Sequence, residues 1–108
     1  MDTGEPSAVD LVMTFLKGQN LEQLGKVDEA VALYEQAVTA GFDSPGPYDR
    51  LIHIYAHRAQ HADVVRVGSA ALESVHTHED KLRWYEQMRA QATRAASAVP
   101  PAAPKRNG

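Results

Sequence analysis

The chain is predicted to be all-α, an array of antiparallel helix-turn-helix units closed by a C-terminal capping helix. Three observations predict this. Ala, Leu, Glu, Gln and Arg dominate the composition, and all are good helix formers. No run alternates β-branched with polar residues, and no Asn-Gly or Asp-Gly turn joins two such runs. Residues 11–44 and 45–78 align without gaps at a period of 34, which pairs Ala30 with Val64, Leu21 with Tyr55, Ala37 with Ala71 and Val38 with Leu72. A fixed period of this size is the mark of a solenoid. The 108 residues suffice for one small domain. Apolar residues make up 44% but aromatics only 6%, so the core must be built mainly from Leu, Val, Ile and Ala.

The elements follow in order. Residues 1–6 form a flexible, polar N-terminus, and the helical domain is expected over 7–98. Ser7 and Asp10 have capping-box spacing and open the first helix. Leu11, Phe15, Leu21 and Leu24 are its apolar residues, and Gly25 is placed to end it. Asp28 and Glu29 put carboxylates in the first turn of a second helix, where they favour its dipole. Ala30, Val31, Leu33, Tyr34, Ala37 and Val38 form its apolar side, and Gly41 ends it. The prolines of "DSPGP" suit the first turn of a third helix, which carries Leu51, Ile52, Ile54 and Tyr55. A fourth helix is expected from about Ala62 to Ser74, a polar break at "HTHED", and a fifth, capping helix over about 79–98. In the fifth, Leu82, Tyr85, Met88, Ala92 and Ala96 fall on one side; Leu82, Tyr85 and Met88 would cover the fourth helix, and "RAQATRAAS" would face solvent. The tail 99–108 is Pro- and Ala-rich and is expected to be disordered. Its PxxP spacing, Pro101 and Pro104, arises easily in such a composition.

Several function classes are excluded or disfavoured. A net charge of −3 runs against a general nucleic-acid binder. The absence of cysteine excludes disulfides and thiolate chemistry. No stretch approaches a membrane span, and "MDTGEPSAVD" is unlike a signal peptide, so a cytoplasmic location is expected. None of Ser7, Ser44, Ser69, Ser74 and Ser97 stands in a Gly-x-Ser-x-Gly elbow, and no glycine-rich phosphate loop occurs. Glu22, Asp28, Glu29 and Glu35 read as solvated carboxylates on helix faces and starts. The expectation is a protein that is not an enzyme and needs no cofactor.

"LKGQNLEQLGKVDEAVALYEQAV" resembles the tetratricopeptide repeat (TPR) family. Gly18, Leu21, Gly25, Ala30, Tyr34 and Ala37 fill the small, aromatic or glycine positions of that family's pattern. In the second unit Tyr48, Leu51, Tyr55 and Ala71 match, whereas Ala59, Val64 and Gly68 stand where Gly, Ala and an aromatic are usual. Thr14 and Lys17 replace the family's Trp and Leu in the first unit. The resemblance covers about residues 8–75 and implies a right-handed solenoid of two units. Two units are few, so the capping helix, or a second copy of the chain forming a homodimer, is expected to cover the remaining apolar surface.

The resemblance also implies a concave groove that holds a partner peptide or helix. Its lining would be Val12, Phe15, Leu16, Gln19, Glu22 and Gln23 from the first unit, with Gly46, Asp49, Arg50, His53, Ala56 and His57 from the second. Phe15 and Leu16 would form an apolar pocket, with Arg50, His53 and His57 as polar contacts. Phe15, Gln19 and Arg50 depart from the pattern by which some TPR proteins grip a C-terminal carboxylate, so that ligand is not expected. The same face carries a histidine row, His53, His57 and His61, spaced by four. The repeat turns the chain near His61, which leaves Asp49, His53 and His57 as an alternative transition-metal site. Ile54 stands where the hydrolytic zinc signature needs a glutamate, so a catalytic metal is not indicated. Trp84, the single tryptophan, is either part of the core or an exposed anchor for a partner. The expected function is a protein–protein interaction module. The alternatives are a metal-binding protein and a structural dimer subunit docking through the fifth helix.

Overall fold

The computed structural model describes residues 7–76 and 78–98. Five helices account for most of them: α1 (Ala8–Gln23), α2 (Val27–Thr39), α3 (Pro45–His57), α4 (His61–Ser74) and α5 (Glu79–Ala98). No strand occurs among the described residues, and no helix is long and apolar enough to cross a membrane. The flexible N-terminus and disordered tail expected from the sequence lie outside the described residues.

The capping box at the start of α1 is reciprocal. Ser7 Oγ accepts from the Asp10 amide at 3.1 Å, and the Ser7 amide donates to the Asp10 carboxylate at 3.1 Å. At the other end Gly25 takes a left-handed φ of 81°, and the Lys26 amide reaches back to the Leu21 carbonyl at 2.9 Å. That six-residue closure returns the chain antiparallel as α2. The same turn recurs 34 residues later. Ala59 has φ 57°, and the Gln60 amide donates to the Tyr55 carbonyl at 2.9 Å. Helix α3 ends at His57, and the chain turns ahead of His61, which opens α4, so the histidine row does not lie on one helix. Gly41 closes α2 in the same manner (φ 71°), with the Phe42 amide donating to the Ala37 carbonyl at 3.1 Å. One period later the pattern breaks. Val75 is extended, and the chain runs on to α5 through a loop pinned by the His76 amide on Asp43 at 2.8 Å.

Ala59 is the one non-glycine residue among those described with positive φ. A left-handed L-residue costs about 1–2 kcal/mol that glycine avoids. Ala59→Gly is therefore expected to raise stability by about 1 kcal/mol, less a little lost to unfolded-chain entropy. Urea denaturation measures this directly; a lower midpoint in the variant would show that the turn is not strained.

The main core lies between α2, α3, α4 and α5. Tyr34, Tyr48, Leu51, Ile52, Val64, Val67, Val75 and Tyr85 are all fully buried in it. A smaller cluster, Leu11, Ala37 and Phe42, joins α1 to α2. Leu24, expected on the apolar side of α1, is instead its C-cap and is 71% exposed. Gly68 occupies the place of Tyr34 one period on. A Cβ there would sit 3.5 Å from the Tyr85 carbonyl and 3.4 Å from Arg89 Cβ, so the missing aromatic is what lets the α5 backbone lie against α4. Leu82, Tyr85 and Met88 pack on the core as expected. Ala92 lies on the apolar side as expected and is only 5% exposed, so "RAQATRAAS" does not face solvent throughout, while Ala96 is exposed.

Candidate functional site

The candidate face is shared by α1 and α3, with α5 at its edge. At its centre Arg50 and Glu22 form an ion pair, with Arg50 Nε also donating to Glu22 Oε1 at 3.0 Å. The Tyr34 hydroxyl donates to the same carboxylate at 2.7 Å. This pair divides the face into two open depressions. One, about 340 Å³, is lined by Gln19, Glu22, Gln23 and Arg50. The other, about 310 Å³, is lined by Val27 and Ile54 below and by Glu22, Arg50, His53, His57 and Arg58 around it.

The predicted lining residues separate into three groups. Val12, Leu16 and Gln23 are exposed on α1, Gln19 is half-buried, and His53, Ala56 and His57 are exposed on α3. Phe15 turns inward. Its ring lies 5.8 Å from that of Tyr34 and covers Gly46, where a Cβ would meet Phe15 Cζ at 2.5 Å. Gly46 thus makes room for Phe15, and the apolar pocket reduces to Leu16 and Val12. Asp49 and Arg50, expected to be free of the core, are both engaged. Asp49 accepts from the Tyr85 hydroxyl at 2.8 Å and pairs with Lys81 at 2.9 Å.

These contacts belong to a series that sequence reading missed. Glu22 takes Tyr34 and Arg50; Glu35 takes Tyr55 and, at 2.7 Å, Arg66; Asp49 takes Tyr85 and Lys81. In each, a buried tyrosine hydroxyl and one cation meet on one carboxylate, so Glu22 and Glu35 are not the solvated groups expected. The available signal was a cation nearly one period downstream of its carboxylate: 28 residues from Glu22 to Arg50 and 31 from Glu35 to Arg66. Arg58 on Asp28, at 2.9 Å and 30 residues apart, follows the same rule.

The electrostatics follow from this arrangement. Hydrogen bonding from Arg50, then from Tyr34, holds the Glu22 carboxyl below its usual range against the opposing effect of burial. Burial first, then the bond to Glu35, pushes the Tyr55 phenol up to about 12; burial, then the bonds to Glu22 and Asp49, likewise raise Tyr34 and Tyr85. The Glu22 contribution is complete above its ordinary value of 4.5 and is lost as pH falls through the depressed one. The tyrosine contributions are complete below pH 10 and are lost as pH rises through the folded values. Glu22→Gln is expected to cost about 1–2 kcal/mol at neutral pH, since it weakens one hydrogen bond and one partly exposed pair. Melting temperatures of both proteins across the acid range check this: the gap should narrow below pH 4.5, and a gap that widened there would contradict the assignment.

The histidine row is divided among three environments. His53 stacks on Trp84, ring centroids 5.4 Å apart, and Lys81 Nζ sits 4.2 Å from the Trp84 ring centre. Trp84 is therefore half-buried against α3 rather than a free anchor. His57 borders the second depression, and His61 borders a separate crevice with Val64, Met88 and Ala92. Asp49 is held by Tyr85 and Lys81, and no three His, Asp or Glu side chains assemble into a metal-holding group among the described residues. No protein-family model matches the chain, and neither the curated proteins nor the solved structures provide a match to it.

Proposed function

We propose that the chain is a non-catalytic, cytoplasmic interaction module, a two-unit tetratricopeptide-like solenoid with α5 as its cap, which holds a partner peptide or helix across α1 and α3. The observation that carries this reading is the pair of depressions on either side of Glu22–Arg50, lined by equivalent faces of two helices one period apart. The recurrence of the Gly25 turn at Ala59 supports the repeat. The face offers what an extended peptide needs: exposed apolar contacts at Val12 and Leu16, amides at Gln19 and Gln23, and donors at Arg50, His53 and His57. Because Glu22 fixes the Arg50 guanidinium, little side-chain entropy is lost when a ligand arrives.

The test is selection of displayed random peptides on the intact protein, followed by titration of a selected peptide into isotope-labelled protein. Saturable amide shifts should gather at Gln19, Gln23, Arg50, His53 and His57. The double variant His53→Glu, His57→Glu should weaken binding by about tenfold, or about 1.4 kcal/mol. Peptides that bind with full affinity to the double variant, or shift residues on α4 alone, would refute the groove.

A further inference from the structure

On the reading of the α1–α3 face as a peptide groove, we propose that its second depression takes a glutamate side chain of the partner. The aliphatic stem would lie over Val27 and Ile54, with the carboxylate among Arg50, Arg58 and the two histidines. Half-buried Val27 and buried Ile54 make the floor, and Glu22, Arg50, His53, His57 and Arg58 stand around it. Val27 is the first residue of α2 and His57 the last of α3, so two helix ends bring opposite partial charges to one place. The side chains therefore decide which charge the depression accepts.

Among the described lining residues Glu22 is the single carboxylate, and it already accepts from the Tyr34 hydroxyl at 2.7 Å, from Arg50 Nε at 3.0 Å and from Arg50 Nη2. A cationic side chain would have to compete with those donors. An anionic one finds donors to spare. Arg50 spends Nε and Nη2 on Glu22, which leaves Nη1. Arg58 gives Nη2 to Asp28 at 2.9 Å, but the Asp28 side chain is 89% exposed, and so open a pair contributes little and is readily shared. His53 and His57 each carry an N–H even when neutral. The apolar floor then sets the length of the occupant. Glutamate covers it with two methylenes and still reaches the rim, whereas aspartate has only one. Leucine would cover the floor but would strip water from the rim donors without replacing it. Glutamine has the shape without the charge that strengthens a bond to arginine.

The probes are peptides selected from a displayed random library on the intact protein, each resynthesised with its glutamates changed singly to Gln or Asp and titrated by calorimetry. One glutamate per peptide should stand out. Its replacement by Gln should weaken binding about tenfold, the loss of a charged hydrogen bond. Its replacement by Asp should weaken binding about fourfold, the worth of one buried methylene. Arg58→Gln should weaken the parent peptide by about tenfold and leave the Gln peptide nearly unchanged, so that the two losses do not add. Asp28→Asn releases Arg58 from its exposed pair and should tighten the parent peptide by about threefold, a gain that a merely structural Arg58 would not give. Peptides that shift the amides of Gln19, Gln23 and Arg50 yet bind equally well with Gln at every glutamate overturn the proposal and leave the groove standing. So do peptides that lose as much in Arg58→Gln whether Glu or Gln is present, or nothing at all. Selected peptides that never touch α1 and α3 overturn both.

Discussion

Replacing Tyr34 with alanine is expected to lower stability by about 3–5 kcal/mol, among the largest losses a single substitution can cause in this domain. The ring is fully buried and contributes on three sides. It lies beside Phe15, it rests on Gly18, where a Cβ would be 2.7 Å from Tyr34 Cε1, and its hydroxyl meets Glu22. Truncation opens a cavity between α1 and α2 and takes a donor from a carboxylate that also holds Arg50. Tyr34→Phe keeps the ring and removes the donor, so it should cost only about 1–2 kcal/mol. Gly18 supplies the sharper test. Alanine is favoured over glycine in a helix by about 1 kcal/mol, but here its methyl must displace a packed ring. Gly18→Ala should therefore destabilise the wild type by about 1–2 kcal/mol. In the Tyr34→Ala background the ring is gone, and the same change should stabilise by about 1 kcal/mol. Urea denaturation of the four proteins gives the coupling; the same sign in both backgrounds would show that the ring does not rest on Gly18. Small domains have only about 5–15 kcal/mol in hand, so the Tyr34→Ala protein should already be partly unfolded in mild denaturant.

What the sequence revealed and what it concealed divide along the range of the interaction. The Ser7–Asp10 box and the turns at Gly25 and Gly41 were legible because each is settled within about six residues by capping groups and by glycine's access to positive φ. The core tyrosines on α2 and α3 were legible through periodicity. The turn after α3 was legible only through the repeat, because an alanine fills the left-handed position, which residue preference assigns to glycine. Leu24 was misjudged because apolar spacing continues past the last helical residue, where the chain has already turned outward. At the site, the face was found but not its state. Asp49 and Arg50 were correctly placed on α3, yet they read as free because their partners, Tyr85 and Glu22, stand 36 and 28 residues away. Polarity alone does not distinguish a solvated carboxylate from one that receives a buried hydroxyl. Phe15 was assigned to the groove for a related reason: only the approach of Gly46 from α3 offers its ring a place inside.

Tyr85→Ala should cost about 3–4 kcal/mol and should release α5 before any other helix. Tyr85 is fully buried, meets Tyr48 edge-on with centroids 6.3 Å apart, and donates to Asp49. Of the other residues that attach α5, Leu82, Trp84 and Met88 are only partly buried, and Ala92 is buried but small. One residue thus joins α5 to both α3 and α4, whereas the α1–α2 hairpin has its own cluster at Leu11, Ala37 and Phe42. Amide hydrogen exchange reads the difference. Protection in α5 should fall by about a hundredfold or more, following about 3 kcal/mol of local destabilisation, while amides of α1 and α2 keep most of theirs. Tyr85→Phe should retain the packing and cost about 1–2 kcal/mol, because Lys81 still pairs with Asp49. If Tyr85→Ala instead removes protection equally from all five helices, α5 is part of a single cooperative core. The proposed two-unit stack with a separable cap would then fail, since a cap that closes a stack from its end can be released without dissolving the stack.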